Sequence, residues 1–460
     1  MTSPIEFPNV FKAYDVRAVY PEPLSESVAY RIGFGAGSFL KKSSPGKPVV
    51  VGRDMRPHSP ALIRELQRGL LASGVRVIDV GLVDTPFLYW AVNELDGAGA
   101  IQTTASHNPI QYNGFKISGP GAAPIGRESG LQDIEALAAG CDYEAGDEIP
   151  AVEHQDLWDG YRQHVHRFLP ASLLDGTVQL KVAVDASNGM AGTMVPKVFA
   201  GLPGLELIEL HFENDHGSFV HEPNPLVESN LRWTQEAVRE HGCDFGVCFD
   251  GDADRCVLVD EQGNSVGCDL TTAWLAPNFL TNGGGVVYDL RSSKILPETV
   301  KSSGGEPHMS RVGHVFMKSK MKESGSSFGG ELSGHFYFKD NWCADSGAIA
   351  FAAFCAQMVA EGKPLSECIE PLRRYSQSGE INFEVDDKDA AMARLVAGSL
   401  EAEVLQVDGV TVDHGSWWCN VRPSNTEPLL RLNLEAATSQ EVDQRVAEIS
   451  TVLGGTRVDH

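Results

Sequence analysis

Lys47-Pro48-Val49-Val50-Val51-Gly52-Arg53-Asp54 reads as a short buried strand that ends in charge. The stretch after it, Ser59–Ala72, repeats Leu62, Leu66 and Leu70 at helical spacing, and Gly74 closes it. Val75-Arg76-Val77-Ile78-Asp79-Val80 is a second strand. A strand, a helix and a strand in so short a span predict a parallel sheet. Upstream, Gly33-Phe34-Gly35-Ala36-Gly37-Ser38 is glycine-rich. It lacks the third glycine of a dinucleotide fingerprint and follows no strand, so it reads as close helix packing.

The unit recurs. Residues 180–185 form a strand, 190–199 a helix and 205–210 a strand. A third copy opens at Val286-Val287-Tyr288-Asp289, with a helix over 293–301. These copies predict three related α/β domains with mixed parallel sheets and ligands beyond the carboxyl ends of the strands. The tail departs from the pattern. Strands over 380–385, 417–421 and 429–434, with helices over 390–400 and roughly 440–453, predict a separate α+β domain from about residue 370.

The 460 residues are 42% hydrophobic, enough for several packed cores, and no apolar run is long enough for a bilayer. The first residues, Met1-Thr2-Ser3-Pro4-Ile5-Glu6, lack a secretory pattern. Nine scattered cysteines without a CxxC pair point to reduced thiols and a cytoplasmic setting, with neither a disulfide frame nor a zinc site. A net charge of −25 offers no basic face for nucleic acid. A phosphate-bearing substrate would then need locally concentrated basic residues.

Four stretches carry chemistry. In Thr103-Thr104-Ala105-Ser106-His107-Asn108-Pro109, Pro109 keeps Asn108 out of a helix, which predicts an exposed loop at a strand end. Ser106 beside an imidazole is a candidate phosphoryl acceptor; the same residues also suit an ordinary Ser/Thr turn. In Phe249-Asp250-Gly251-Asp252-Ala253-Asp254-Arg255, three carboxylates alternate after an apolar strand. Extended backbone would point them one way, where a hard cation such as Mg²⁺ relieves their repulsion and Arg255 adds a phosphate fork. An EF-hand would need glycine at Arg255 and a loop over Cys256-Val257-Leu258-Val259; an aspartyl phosphatase would use Asp250 as nucleophile. Gly330-Glu331-Leu332-Ser333-Gly334-His335 offers acceptors and donors for sugar hydroxyls. Arg422-Pro423-Ser424-Asn425-Thr426-Glu427-Pro428 has the composition of a phosphate cradle, although a proline-bracketed hairpin turn would read the same way.

Taken together and in this order, the stretches resemble the α-D-phosphohexomutase superfamily over nearly the whole chain. The resemblance implies three α/β domains and a mobile fourth around a central cleft, divided as 1–150, 151–256, 257–369 and 370–460. It implies that Ser106 carries a phosphoryl group and that Mg²⁺ is held by Asp250, Asp252 and Asp254 together with the Ser106 group. Glu331, Ser333 and His335 would hold the sugar, and Arg422, Ser424, Asn425 and Thr426 the non-reacting phosphate. Tyr14, Arg17, Lys116, Lys294 and His314 fall where the family has site residues. Leu332 and Asn425 resemble the phosphomannomutase/phosphoglucomutase branch rather than the phosphoglucosamine branch. The implied reaction moves a phosphoryl group between hexose 1- and 6-phosphates by way of a hexose 1,6-bisphosphate, also the activator. Lys116 and then His107 are candidates for proton handling, with Arg255 beside the transfer. The implied partner is a small phosphosugar, for a monomer or weak homodimer, with no nucleic acid and no membrane. A phosphoglucosamine mutase, a phosphatase built on Asp250 and a silent sugar-phosphate binder remain as alternatives.

Overall fold

The computed structural model describes residues 7–143, 146, 151–280, 283–424 and 429–458. Its contacts divide the chain into two compact units, 1–267 with 333–366, and 268–332 with 367–460.

The first unit opens with a mixed sheet. Strand Val49–Arg53 lies parallel to Val77–Leu82 on one side and to Gly99–Thr103 on the other. Tyr112–Ser118 then runs antiparallel to Gly99–Thr103 and to Val16–Val19. Val49, Val50 and Val51 are fully buried, as an apolar run covered on both faces requires. Leu62, Leu66 and Leu70 of helix Ser59–Ala72 pack into the same core. The glycine-rich stretch lies inside helix Glu26–Ser43. A Cβ on Gly33 would sit 2.2 Å from the Leu66 carbonyl oxygen, and one on Gly69 would sit 1.9 Å from that of Tyr30. The glycines therefore let two helix backbones touch, as their spacing predicts.

A second sheet repeats the plan. Leu180–Asp185 is parallel to Leu205–Leu210 and Phe245–Phe249, and Cys256–Asp260 folds back antiparallel onto Phe245–Phe249. Helix Ala191–Phe199 begins after Asp185 and helix Arg232–His241 precedes Phe245–Phe249. Hairpin Phe336–Phe338 with Ala344–Asp345 and helix Gly347–Glu361 complete the unit.

The second unit holds three parallel strands, Gly285–Asp289, Glu306–Ser310 and Phe328–Gly330, with helices Ile295–Ser302 and His314–Ser324 between them. It also holds an antiparallel sheet of six strands. Trp417–Pro423 and Leu429–Ala436 pair on either side of the phosphate-loop sequence, and Ser376–Glu384 joins the latter. Three further strands, Glu403–Leu405, Val410–Asp413 and Thr456–Val458, were not legible in the sequence. Two are three-residue edge strands with partly exposed side chains and little periodicity to read. The helix expected over 390–400 is Lys388–Ala397, capped by the Asp387 carboxylate, which accepts from the Ala390 N–H.

The architecture is thus three α/β domains and a C-terminal α+β domain. All nine cysteines are free and buried. No helix among the described residues is long and apolar enough to cross a membrane.

Candidate active site

The chemical stretches begin where strands end. Ser106 lies just beyond Gly99–Thr103, Asp250 directly follows Phe245–Phe249, and Glu331 follows Phe328–Gly330. That is where α/β sheets leave backbone groups and loops available for ligands.

The first unit gathers the largest set. Ser106 is 1% exposed, not the exposed loop position expected from the sequence. A polar loop is buried here because its partners come from elsewhere in the fold. The Ser106 hydroxyl donates to Asp250 Oδ2 at 2.9 Å, and His107 Nδ1 lies 3.2 Å from Ser106 Oγ. The Ser106 N–H donates to Thr104 Oγ1 at 2.9 Å while its φ is +50°, in the left-handed region. A Cβ on Gly251 would meet the Ser106 carbonyl oxygen at 2.3 Å, so only glycine allows the acidic turn to come this close.

The three carboxylates converge, but not through extended backbone. The Ala253 N–H donates to the Asp250 carbonyl at 3.2 Å and Ala253 has φ +59°, so the segment is a tight turn. Asp250 Oδ1 accepts the N–H groups of Asp254 and Arg255, each at 3.1 Å. Lys116 Nζ bridges Asp252 Oδ2 at 2.7 Å and Asp254 Oδ2 at 2.5 Å, and Thr85 Oγ1 donates to Asp252. His335 Nε2 stands 3.3 Å from Asp254 Oδ1, and Ser333 Oγ 3.0 Å from His335 Nδ1. Arg255 Nε lies 3.9 Å from both Asp250 Oδ2 and Asp254 Oδ1. Arg17 donates to Asn108 Oδ1 and to Asp15, each at 2.6 Å; Tyr14, half-buried, precedes it by three residues.

The electrostatics differ along this turn. Burial, then the neighbouring Asp254 and Asp252, push Asp250 well above the usual carboxylate range. Burial would raise Asp254 too, but Lys116, then His335 and Arg255, hold it well below. Burial, followed by the Arg255, Arg17 and Lys116 charges, holds His107 well below its ordinary value, so the imidazole is neutral. Single ligand oxygens of Asp250, Asp252 and Asp254 lie within 4.8 Å of one another. Asp252 Oδ1 is buried and lacks a hydrogen-bond donor among the described residues, while Asp254 Oδ1 faces His335 Nε2 at 3.3 Å. Converging hard oxygens, one of them left without a donor, fit a divalent cation.

The second unit assembles a basic set. Arg291 binds Asp289 through two nitrogens, at 3.0 and 2.9 Å, and the Leu332 N–H donates to Asp289 at 2.7 Å. Glu331 Oε1 accepts the Gly313 N–H at 2.8 Å, directly before His314. Arg422 and Arg431, opposite one another on neighbouring strands, both reach Glu380, at 2.6 and 3.2 Å, and Arg291 stands 3.9 Å from it. Ser424 is buried and its N–H donates to the Leu429 carbonyl at 2.8 Å. Asn425 and Thr426 lie outside the described residues. These arginines gather basic side chains in one place, each beside a carboxylate.

Lys294 does not join this set. Its ammonium donates to Asp413 at 2.7 Å and to the Gly415 carbonyl at 2.9 Å. Arg291 is the cation beside Glu331 and Glu380. Sequence reading missed it, and also missed Thr85, Glu380 and Arg431. For Arg291 a signal existed, since it stands two residues past a strand end; the others have none.

The sequence matches the models of all four domains of one family: phosphoglucomutase/phosphomannomutase alpha/beta/alpha domain I over 8–144, domain II over 159–263, domain III over 262–375 and the C-terminal domain over 380–452. A protein described as phosphohexose mutases, from Xanthomonas campestris pv. campestris strain B100, is 39% identical over 97% of this chain and 99% of its own length. The phosphomannomutase of Escherichia coli K12 is 37% identical over 93% of this chain and 94% of its own. A solved structure of a phosphoglucomutase/phosphomannomutase family protein from Burkholderia thailandensis superposes with a TM-score of 0.87 at 31% identity, covering 97% of this chain and 98% of that one. With every domain of the family matched and relatives aligned end to end, the chain belongs to the phosphoglucomutase/phosphomannomutase family of isomerases that transfer phosphoryl groups intramolecularly.

Proposed function

We propose that the protein interconverts hexose 1-phosphate and hexose 6-phosphate, using glucose and mannose alike, through a phosphoserine at Ser106 and a hexose 1,6-bisphosphate intermediate. The observation that supports this reading most directly is the buried Ser106 hydroxyl, 2.9 Å from Asp250 and 3.2 Å from a neutral imidazole. Mg²⁺ is the metal that suits Asp250, Asp252 and Asp254; when bound it supplies positive charge against the phosphoryl oxygens.

The chain's own residues account for the rest. As the Ser106 Oγ–P bond breaks, a P–O bond forms to the free sugar hydroxyl, whose proton passes to a group at the site. Lys116, engaged by two carboxylates, is the first candidate for that proton, and His107, with Nδ1 3.2 Å from Ser106 Oγ, the second. Arg255 and Arg17 oppose the charge in transit. After the bisphosphate has turned over, the other phosphate returns to Ser106, so no phosphate is released. Glu331, Ser333 and His335 receive sugar hydroxyls. Arg422, with Ser424, Asn425 and Thr426, receives the phosphate that does not react, and Tyr14, His314 and Arg291 complete the contacts. The protein would act as a monomer or weak homodimer in the cytoplasm, with hexose 1,6-bisphosphate as activator.

Glucose and mannose differ only at C2, so a loop that grips the shared 3- and 4-hydroxyls treats them alike. Leu332 offers no polar side chain to a 2-amino group. The test is turnover on glucose, mannose and glucosamine 1-phosphates with a trace of bisphosphate. Comparable rates on the first two and a poor third are expected. A hundredfold preference between glucose and mannose, or glucosamine 1-phosphate as the best substrate, would refute the sugar assignment. Net phosphate release with an acid-labile, hydroxylamine-sensitive phosphoenzyme would point to Asp250 as nucleophile instead.

A further inference from the structure

Arg56 belongs to none of the chemical stretches, yet its side chain is fully buried. Its Nη2 donates to the main-chain carbonyls of Ser106 at 2.9 Å and Asn108 at 2.6 Å. Its Nη1 donates to those of Pro109 at 2.8 Å and Tyr112 at 3.0 Å. Nε faces Asp54 Oδ2 at 3.2 Å. Asp54 Oδ1 is itself pinned by the Arg56 N–H at 3.0 Å and the Ser59 hydroxyl at 2.5 Å. The Phe219 ring lies 5.5 Å from the guanidinium carbon.

Burying a guanidinium is costly unless its donors are met. Here four of the donor contacts go to backbone carbonyls of one loop. The fork thereby fixes how residues 106–112 are threaded. The loop needs that constraint, because Ser106 sits at φ +50°, which a residue with a Cβ does not hold unaided. The Ser106 carbonyl is gripped from one side by Arg56 while its hydroxyl reaches Asp250.

We propose that Arg56 is a positioning residue for phosphoryl transfer, gathering the carbonyls of the Ser106 loop on one buried guanidinium so that Oγ stays aimed at the carboxylate turn. The inference rests on Ser106 being the phosphoryl carrier. Arg56 holds the loop by its main-chain carbonyls and not by the Ser106 hydroxyl, so its loss should fall on the transfer rate and spare ground-state binding. A lysine keeps the charge but not the planar fork.

The test uses Arg56→Lys in the full chain. It compares kcat and KM for glucose 1-phosphate, the rate at which Ser106 is phosphorylated by glucose 1,6-bisphosphate, read by intact mass, and hydrogen exchange across 104–112. Misplacement of the nucleophile is expected to lower kcat and the phosphorylation rate by about ten- to a hundredfold. KM should stay within about twofold of wild type, and exchange should quicken in that peptide alone. A folded Arg56→Lys with wild-type kcat and phosphorylation rate overturns the proposal, as does a loss confined to KM. If the variant does not fold, Asp54→Asn carries the test. It unpins the guanidinium without removing it, and should lower kcat by about threefold or more at unchanged KM; wild-type kcat there overturns the proposal. Full activity of Ser106→Ala would instead overturn the carrier assignment, so the two failures are distinguishable.

Discussion

Ser106 combines a left-handed backbone with a hydroxyl committed to Asp250. Ser106→Ala is expected to cut turnover by about a thousandfold or more, because it removes the proposed phosphoryl carrier. The fold should survive, since Oγ is the only atom lost. Ser106→Gly should be equally inactive yet melt above the alanine variant, because glycine escapes a left-handed cost of about 1 kcal/mol. Steady-state assays, phosphopeptide mass spectrometry and calorimetry on the two variants check this; wild-type-like turnover in Ser106→Ala would end the phosphoserine scheme. Asp252→Asn exchanges a full charge for a neutral ligand where one oxygen already lacks a donor. It should weaken Mg²⁺ binding and lower turnover by about tenfold or more. Metal titration measures the first, and EDTA followed by Mg²⁺ should reproduce and reverse the second in wild type; full activity after exhaustive chelation contradicts it. The residue types at these positions were legible, because a serine in a small-residue loop and three alternating carboxylates each imply chemistry. Their geometry was not. Nothing in the identity of Ala253 announces φ +59°, so the carboxylates looked extended when a turn brings them together. Arg291 escaped the sequence for a similar reason, since it and Lys294 follow one strand and only the path of the loop decides which faces Glu331.

Helix Thr85–Glu94 shows how an element can report on the site from its first turn. Asp84 caps it, accepting the Phe87 N–H at 3.3 Å and the Tyr161 hydroxyl at 3.2 Å, while the Thr85 N–H donates to the Asp252 carbonyl at 3.1 Å. Burial raises the Asp84 carboxyl from 3.8 to about 7. The folded state then holds a proton that the unfolded chain releases, so this contribution is complete below the unfolded value and is lost as pH climbs through the folded one. Asp84→Asn removes the titration and keeps an acceptor for the cap. Melting curves in EDTA should show the variant gaining on wild type between about pH 4 and pH 7, by a few kcal/mol at most. A constant difference across that range would mean that Asp84 does not titrate there. Among the elements, the strand–helix–strand units were legible because buried apolar runs and leucine spacing are strong signals. The edge strands Glu403–Leu405 and Thr456–Val458 were not, because half-exposed edges carry no alternation.

At the scale of the whole molecule, the proposed mechanism has the bisphosphate turn over without leaving, which would require room that later closes. The terminal domain from about residue 370 is expected to close on substrate and reopen, with a hinge near 370–378. Within the second unit that motion meets resistance. Arg374 and Tyr375 bind Glu298, Gln377 binds Asp269, and Lys294 binds Asp413. Small-angle scattering should change when a substrate analogue is added, and Asp413→Ala, which cuts one of these ties, should respond at lower analogue concentration. Identical curves with and without analogue would argue for a rigid molecule. The closed-in sulfurs give a way to watch this. With every cysteine buried and burial holding Cys248, Cys355 and Cys419 far from thiolate, the last at about 12, the folded chain presents alkylating dyes with a chemically silent background. Leu400, 90% exposed on the terminal domain, could be replaced by cysteine and labelled alone. The fluorophore would then follow closure in real time, and any slower uptake of dye by the native thiols would count the rare openings of the cores themselves.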